Sequence, residues 1–257
     1  MLTYRNTNII FVLLAALLAV LALQSILSFY WFLPLLLLYS GIVFYGSYYV
    51  GSSFFMKVLC SGATDRRQIA ISFDDGPADA HTAEILAILK DAQVPAVFFC
   101  IGKNIAGHEK LLQQIDSEGH IIGNHSFSHH FWFDLFSTKK MLADLQQMNT
   151  AAEKAIGKKP LLFRPPYGVT TPNMARALKQ TSMKPIGWSI RSLDTVIKDD
   201  EQLLAKIIGQ LQPGAIVLLH DTSASTVKML PRFIKEVRNK GYEIVSIDKL
   251  LNLQPYA

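Results

Sequence analysis

The segment IAISFDDGPADAHTAEIL, residues 69–86, joins an apolar run to a helical pattern through two adjacent carboxylates. Ile69–Phe73 has the length and β-branched content of a buried strand. Asp74, Asp75, Gly76 and Pro77 follow at once, and helical spacing of apolar residues begins near Ala80. Strand, tight turn and helix in that order open a βαβ unit. Two like charges at a strand end repel each other and lose hydration when buried. Taken alone, Asp-Asp-Gly-Pro reads as an ordinary turn with an Asp cap. A bound cation is the other way to keep both carboxylates ionised.

The alternation continues along the chain. Strand candidates are Ile69–Phe73, Ala96–Ile101, His120–Gly123, Leu161–Arg164, Pro185–Trp188, Ala215–Leu219 and Glu243–Ser246. Helical patterns lie between them at Ala80–Lys90, Lys110–Glu118, Lys139–Ile156, Pro172–Gln180, Glu201–Gln210 and Val227–Lys240. This predicts an α/β fold with parallel strands, and the number of units favours a barrel over an open sheet. In such a barrel the chemistry sits at the C-terminal strand ends.

The N-terminal part has another character. No charged residue occurs between Arg5 and Lys57. One membrane helix needs ~20 apolar residues, and this stretch is about twice as long. The aromatic cluster Phe29, Tyr30, Trp31 and Phe32, followed by Pro34, reads as an interfacial turn. Residues 1–56 are therefore expected to form a membrane anchor, a transmembrane helical hairpin with spans near 9–27 and 32–50. One tilted helix with an interfacial piece is the alternative, and a signal peptide would have a shorter apolar region. Residues 57–67 read as a juxtamembrane linker and 68–257 as a catalytic domain. Arg5 precedes the first span, and Lys57, Arg66 and Arg67 follow the second, so the positive-inside rule places both ends, and the domain, on the cytoplasmic face.

The formal net charge of +5 is scattered without basic runs, which argues against nucleic-acid binding and suits contact with anionic lipid. Of the two cysteines, Cys100 falls in an apolar run and reads as core, and Cys60 lies just past the apolar segment. No Cys-rich metal or redox pattern is present.

Polar residues do gather after the strands. NHSFSHH (124–130), RPPYG (164–168), RSLDT (191–195) and LLHD (218–221) each follow a strand candidate, as Asp74 and Asp75 do. His125 and His129, spaced i, i+4, would share one side of a helical turn and could ligate one metal. With a strand-end carboxylate they form a two-His, one-carboxylate set suited to Zn²⁺ or another divalent first-row ion.

SFDDGP, VFFCIGKN, HSFSH, RPPYG and LLH, in this order over residues 68–250, resemble the polysaccharide deacetylase family, the NodB-homology domain of carbohydrate esterase family 4. The resemblance implies a distorted (β/α)7 barrel and metal-assisted hydrolysis of an N-acetyl, or O-acetyl, group on a sugar. It implies that Asp75, His125 and His129 hold the metal, most often Zn, with Co, Ni or Mn as alternatives. Asp74 would be the base that takes the proton of the attacking water, with Arg164 holding it in place. The Tyr167 backbone N–H would stabilise the oxyanion. His220 would protonate the leaving amine, oriented by Asp194, and Leu218 would line the acetyl pocket.

The chain departs from the family where an Asp-x-x-Asp-Trp motif is usual. Arg191 replaces the first Asp, the usual support of Arg164, and Thr195 replaces the Trp. Arg191 could meet a phosphate of a lipid-linked sugar, or pair with Asp199 or Asp200. The aromatic stretch HHFWFDLF, residues 129–136, is compatible with a sugar-stacking rim, a packed loop or a membrane-dipping edge. Asp79 and His81 read as the cap of the following helix, and Asp221 as a turn residue. The expected partners are an acetylated carbohydrate and the lipid bilayer. The alternatives are a non-hydrolytic carbohydrate-binding pseudoenzyme of the same fold and a scaffold built on the hairpin.

Overall fold

The computed structural model describes residues 2–78 and 81–257, so Asp79 lies outside the described residues. Helix α1 (Tyr4–Leu23) starts after Thr3, whose side-chain oxygen accepts from the Asn6 amide. It stops at Gln24, ahead of the expected end, because Ser25 takes φ +59° and turns the chain. A single 3-10 turn, Phe29–Trp31, leads into α2 (Phe32–Tyr48). The segments Tyr4–Leu23 and Phe29–Tyr48 are each long and apolar enough to cross a membrane. They expose Leu13, Leu23, Leu37 and Phe44, which core helices of a soluble protein would bury. Between them the Tyr39 hydroxyl donates to Asn8 Oδ1 at 2.8 Å, so these polar groups are satisfied inside the pair. Such N-terminal helices fit a membrane anchor or a signal sequence.

Backbone hydrogen bonds knit the pair to the rest of the chain. The Tyr4 amide donates to the Phe54 carbonyl at 2.9 Å, and the Thr170 amide to the Ser47 carbonyl at 3.0 Å. Phe54 packs against Gly46, where any Cβ would overlap its ring.

The remainder is a curled parallel sheet with helices on its outside. Its strands are β1 (Gln68–Asp74), β2 (Val97–Cys100), β3 (Ile121–Asn124), β4 (Leu162–Phe163), β5 (Lys184–Pro185), β6 (Ile190–Arg191), β7 (Ile216–His220) and β8 (Glu243–Ile244). The order is β5-β4-β3-β2-β1-β7-β6, with β8 paired to the start of β1. The crossovers carry α3 (Thr82–Ala92), α4 (Gly102–Ile105), α5 (Glu109–Ser117), α6 (Thr138–Ile156), α7 (Pro172–Leu178), α8 (Asp200–Ile208) and α9 (Ala224–Asn239), with α10 (Ile247–Leu251) after β8. His81 occupies the N-cap position of α3 without making a side-chain cap bond. The two-residue β6 escaped the sequence reading, which has no strand candidate between Trp188 and Ala215.

The half-barrel stays open between β5 and β6. Residues expected as a linker bridge part of this seam. Leu59 donates to the Pro185 carbonyl at 3.0 Å and accepts from the Gly187 amide at 2.8 Å, and the Gly62 amide donates to the Gly214 carbonyl at 2.8 Å. Unpaired edge groups need partners, and the chain leaving α2 supplies them.

Alternation along β1 divides the interior. Ile69, Ile71 and Phe73 face the helices and pack with Phe98, Val217 and Leu219. Ala70 faces inward with Val97, Phe99 and Ile216. Each large buried side chain contributes about 1.5–3 kcal/mol. Cys60 and Cys100 are both free thiols.

Candidate active site

The first strand ends in two residues with different surroundings. Asp74 is buried and closes β1 in register with His220 of β7, so the two stand on neighbouring strand ends. Asp75 takes φ +80°, a left-handed conformation uncommon for a residue with a Cβ. Its carbonyl accepts from Asn104 Nδ2 at 2.9 Å, and the Gly76 carbonyl accepts from the Ile101 amide at 2.8 Å. Gly76 has no room for a Cβ, because the Asp221 carboxylate lies against it. Asp221, read from sequence as a turn residue, is buried under this loop and accepts from the Thr82 hydroxyl at 2.7 Å. Burial pushes its pKa up to about 7, partly offset by that bond.

Arg164 leaves β4 and is fully buried. One terminal nitrogen donates to Asp74 Oδ1 at 2.7 Å and to the Ser72 hydroxyl at 2.8 Å. The other donates to the Gly187 carbonyl at 2.8 Å, and the guanidinium lies 4.1 Å from the centre of the Phe99 ring. Backbone carbonyl and aromatic face thus complete its coordination in place of a second carboxylate. Burial raises the Asp74 carboxyl above its ordinary range, and the Arg164 charge opposes the rise.

His125 follows β3, anchored by its amide on the Cys100 carbonyl at 3.0 Å. Its Nδ1 stands 2.9 Å from the Arg164 carbonyl. A carbonyl can only accept, so Nδ1 carries the proton and the Nε2 lone pair faces Asp75. Burial lowers the His125 pKa to about 3 and keeps the ring neutral. His129 reaches the same point from a loop, not from the helical turn that the i, i+4 spacing suggested. Ser126 and His129 have positive φ, and the loop hangs on the Asp144 carboxylate through the amides of Phe127 at 2.7 Å and Ser128 at 3.2 Å. One buried side chain of α6 thus takes the place of helical backbone bonding.

The Nε2 atoms of His125 and His129 lie 3.6 and 3.5 Å from Asp75 Oδ1. These separations are too long for hydrogen bonds. They match ligands sharing one ion, since two ligands ~2.0–2.1 Å from a tetrahedral metal stand about 3.3 Å apart. Two neutral imidazoles and one carboxylate, all within 4.8 Å of one another, therefore fit a divalent ion.

On the other flank Asp194 is buried and fully engaged. It accepts from His220 Nδ1 at 2.8 Å, the His220 amide at 2.7 Å, the Ser192 hydroxyl at 2.8 Å and the Thr226 hydroxyl. Burial alone would raise its pKa, but these bonds and the His220 charge lower it. Burial disfavours the charged ring of His220, yet Asp194 outweighs it and raises that pKa to about 9. Asp194 thus holds the His220 Nδ1–H and favours the charged ring.

Leu218 is buried two residues before His220, on the same face of β7. Tyr167 takes φ +59° in the RPPYG turn, its ring 4.8 Å from that of His129. Phe131, its ring 6.4 Å from that of Tyr167, is exposed, as are Trp132 and Leu135, whereas Phe133 and Phe136 are core. Arg191 is exposed and makes no side-chain bond or ion pair among the described residues. Asp199, its suggested partner, caps α8 by accepting from the Gln202 amide at 2.7 Å. Asn104, Asp144, Ser72 and Thr226 were missed as parts of the site. Asn104 and Ser72 fall inside the family-like segments VFFCIGKN and SFDDGP, but Asp144 and Thr226 act through contacts distant in sequence and carry no local signal.

The family model for polysaccharide deacetylase matches residues 61–186. The peptidoglycan-N-acetylmuramic acid deacetylase PdaA of Bacillus subtilis (strain 168) is 32% identical over 194 residues, covering 74% of this chain and 73% of its own. Among solved structures, the Bc1960 peptidoglycan N-acetylglucosamine deacetylase superposes with a TM-score of 0.75 at 24% identity, over 78% of this chain and 95% of its own, a likeness of fold. A pseudoenzyme of carbohydrate esterase family 4 from Bacillus anthracis, BA3943, superposes with a TM-score of 0.70 at 26% identity, over 74% of this chain and 67% of its own.

Proposed function

This chain belongs to the polysaccharide deacetylase family, a family of hydrolases of carbon–nitrogen bonds, and from that premise we propose that it removes the N-acetyl group of an amino sugar. What carries the reading is one juxtaposition. Asp74 and His220 stand in register on neighbouring strands, beside the three converging ligand atoms of Asp75, His125 and His129. A divalent ion held there, for which Zn²⁺ suits the donor set, supplies Lewis-acid polarisation and charge neutralisation when bound.

The protein's own residues do the rest. Asp74 takes a proton from the attacking water as its oxygen bonds to the acetyl carbon. Arg164 holds Asp74 and keeps its Oδ2 free for that proton. The Tyr167 backbone N–H, in its left-handed turn, stabilises the developing oxyanion. The C–N bond breaks as His220 Nε2 delivers a proton to the nitrogen, and Asp194 supports the charged ring until then. Acetate and a free amine leave. Leu218 offers an apolar wall to the methyl group.

The helices α1 and α2 are read as a membrane hairpin anchoring the catalytic domain, residues 68–257. Support comes from their exposed apolar surface and from the bonds tying Tyr4 and Ser47 to later residues, which a cleaved signal would forfeit. Both ends of the hairpin then lie on the domain's side, and the basic flanks Arg5, Lys57, Arg66 and Arg67 favour the cytoplasm for that side. There the substrate is a lipid-linked precursor, and the names of the relatives favour a peptidoglycan sugar. A C-terminal reporter active only outside the membrane would replace the precursor by the polymer.

The test is metal content and acetate release from an acetylated chitooligosaccharide, with Asp74→Asn as control. A metal-loaded protein that releases no acetate from any acetylated sugar would instead be a carbohydrate-binding pseudoenzyme, a type with a counterpart among the similar structures.

A further inference from the structure

A recess of about 560 Å³ runs along the open seam between the foot of α2 and the edge strand β6. Tyr48 and Tyr49 line it from the helix end, and Trp188, Arg191 and Lys206 from the domain. Among the described residues two cations line it and no carboxylate does. Neither Arg191 nor Lys206 makes a side-chain hydrogen bond or ion pair among the described residues. A concavity lined by charges of one sign focuses their field, so this recess favours an anion. A planar guanidinium fork and a point ammonium lining one recess suit the oxygens of a phosphate.

The surroundings narrow the ligand. The two tyrosines end an apolar helix, the level at which aromatic rings meet lipid headgroups. The inner end of the recess approaches the catalytic side. Arg191 pairs in register with Leu218, so both side chains share the inner face of the sheet, and Leu193 in the lining precedes Asp194. Trp188 separates the recess from Arg164, its ring 5.7 Å from the guanidinium.

We propose that this recess binds the phosphate of a membrane lipid through Arg191 and Lys206, beside the catalytic cleft. The ligand is either a structural phospholipid or the lipid carrier of the sugar. The inference rests on the anchored-deacetylase reading for its purpose, but its measurement does not depend on catalysis.

The test uses the full chain in a neutral detergent, titrated with phosphatidylglycerol, a polyprenyl monophosphate or diacylglycerol, with retained lipid read by native mass spectrometry. The wild type should retain both phosphate-bearing lipids over diacylglycerol. The double variant Arg191→Ala, Lys206→Ala should lose that retention by about tenfold. Equal retention of the two phosphate lipids assigns a headgroup site, and preference for the polyprenyl lipid assigns a carrier site. Retention no better than diacylglycerol, or undiminished in a double variant that keeps its metal content and melting temperature, overturns the proposal. Acetate release from soluble chitooligosaccharide would stand in either case as the separate measure of the deacetylase reading.

Discussion

Asp74 and Asp194 flank the same cleft, both buried and both facing a cation, but they differ in how their oxygens are used. Asp74 gives Oδ1 to Arg164, while Oδ2 has, among the described residues, only His125 Nε2 at 3.8 Å, beyond hydrogen-bond length. Asp194 spends both oxygens on four donors. Burial therefore wins at Asp74 and raises its pKa, whereas hydrogen bonds win at Asp194 and lower it. A carboxylate with a free oxygen and a raised pKa can receive a proton. One with every lone pair engaged can only hold its neighbour in place. Identical side chains are thus set to different tasks by the count of donors around them.

The largest test of this contrast is Asp74→Asn, which keeps the shape and removes the proposed proton acceptor. Acetate release should fall by roughly 10³–10⁴-fold while bound metal persists. A fall below tenfold would mean that Asp74 is not the base.

Asp194→Asn should cost less, about 10²–10³-fold, and should also move a pH limb. The folded pKa of His220 is about 9, above its ordinary value of 6.5. The protonated acid is then present at neutral pH and is lost as pH rises through about 9. The associated stability follows the same sign, complete below the unfolded pKa and lost through the folded one. In the Asn variant the alkaline limb of kcat/KM should fall toward about 6.5, the ordinary value of histidine. An unmoved limb would break the assignment.

A smaller effect is expected at Arg191. If its charge meets a substrate phosphate, Arg191→Ala should slow hydrolysis of a lipid-diphosphate-linked amino sugar about tenfold more than that of the plain sugar. Equal losses on both substrates would confine Arg191 to a role outside substrate binding.

The smallest is Ser72→Ala. Arg164 loses one of its acceptors but keeps Asp74 and the Gly187 carbonyl. A stability loss of about 1 kcal/mol in chemical denaturation is expected, with Asp74 still held. A loss of activity as large as that of Asp74→Asn would show that Ser72 sets the base geometry.

The strand–helix alternation was legible because strand and helix periods differ so plainly along the chain. So was the gathering of Asp74, Asp75, His125, Arg164, Asp194 and His220 at strand ends, since each lies at or close behind an apolar run. The two N-terminal apolar helices were legible from the long uncharged stretch between Arg5 and Lys57, although the turn at Ser25 shortened the first. The loop carrying His129 was misread as helical. Spacing alone cannot reveal that Asp144, in a helix formed later in the chain, satisfies its amides. The seam was hidden for a similar reason, because residues 57–67 have linker composition and acquire strand-like bonds only where β5 and the start of β7 leave edge groups unpaired.

Order and chemistry of the candidate groups were thus properties of the linear chain, for they depend on residue type and on local periodicity. Their division of labour was not. Whether a buried carboxylate keeps a free oxygen depends on donors such as Ser192, Thr226 and the His220 amide, which reach Asp194 only after β6, β7 and α9 have packed. The same holds for Arg191, whose charge faces a recess that exists only because the half-barrel stays open beside the foot of α2. Local sequence specifies which groups are present, and packing specifies how far each is desolvated and which of its lone pairs remain unspent.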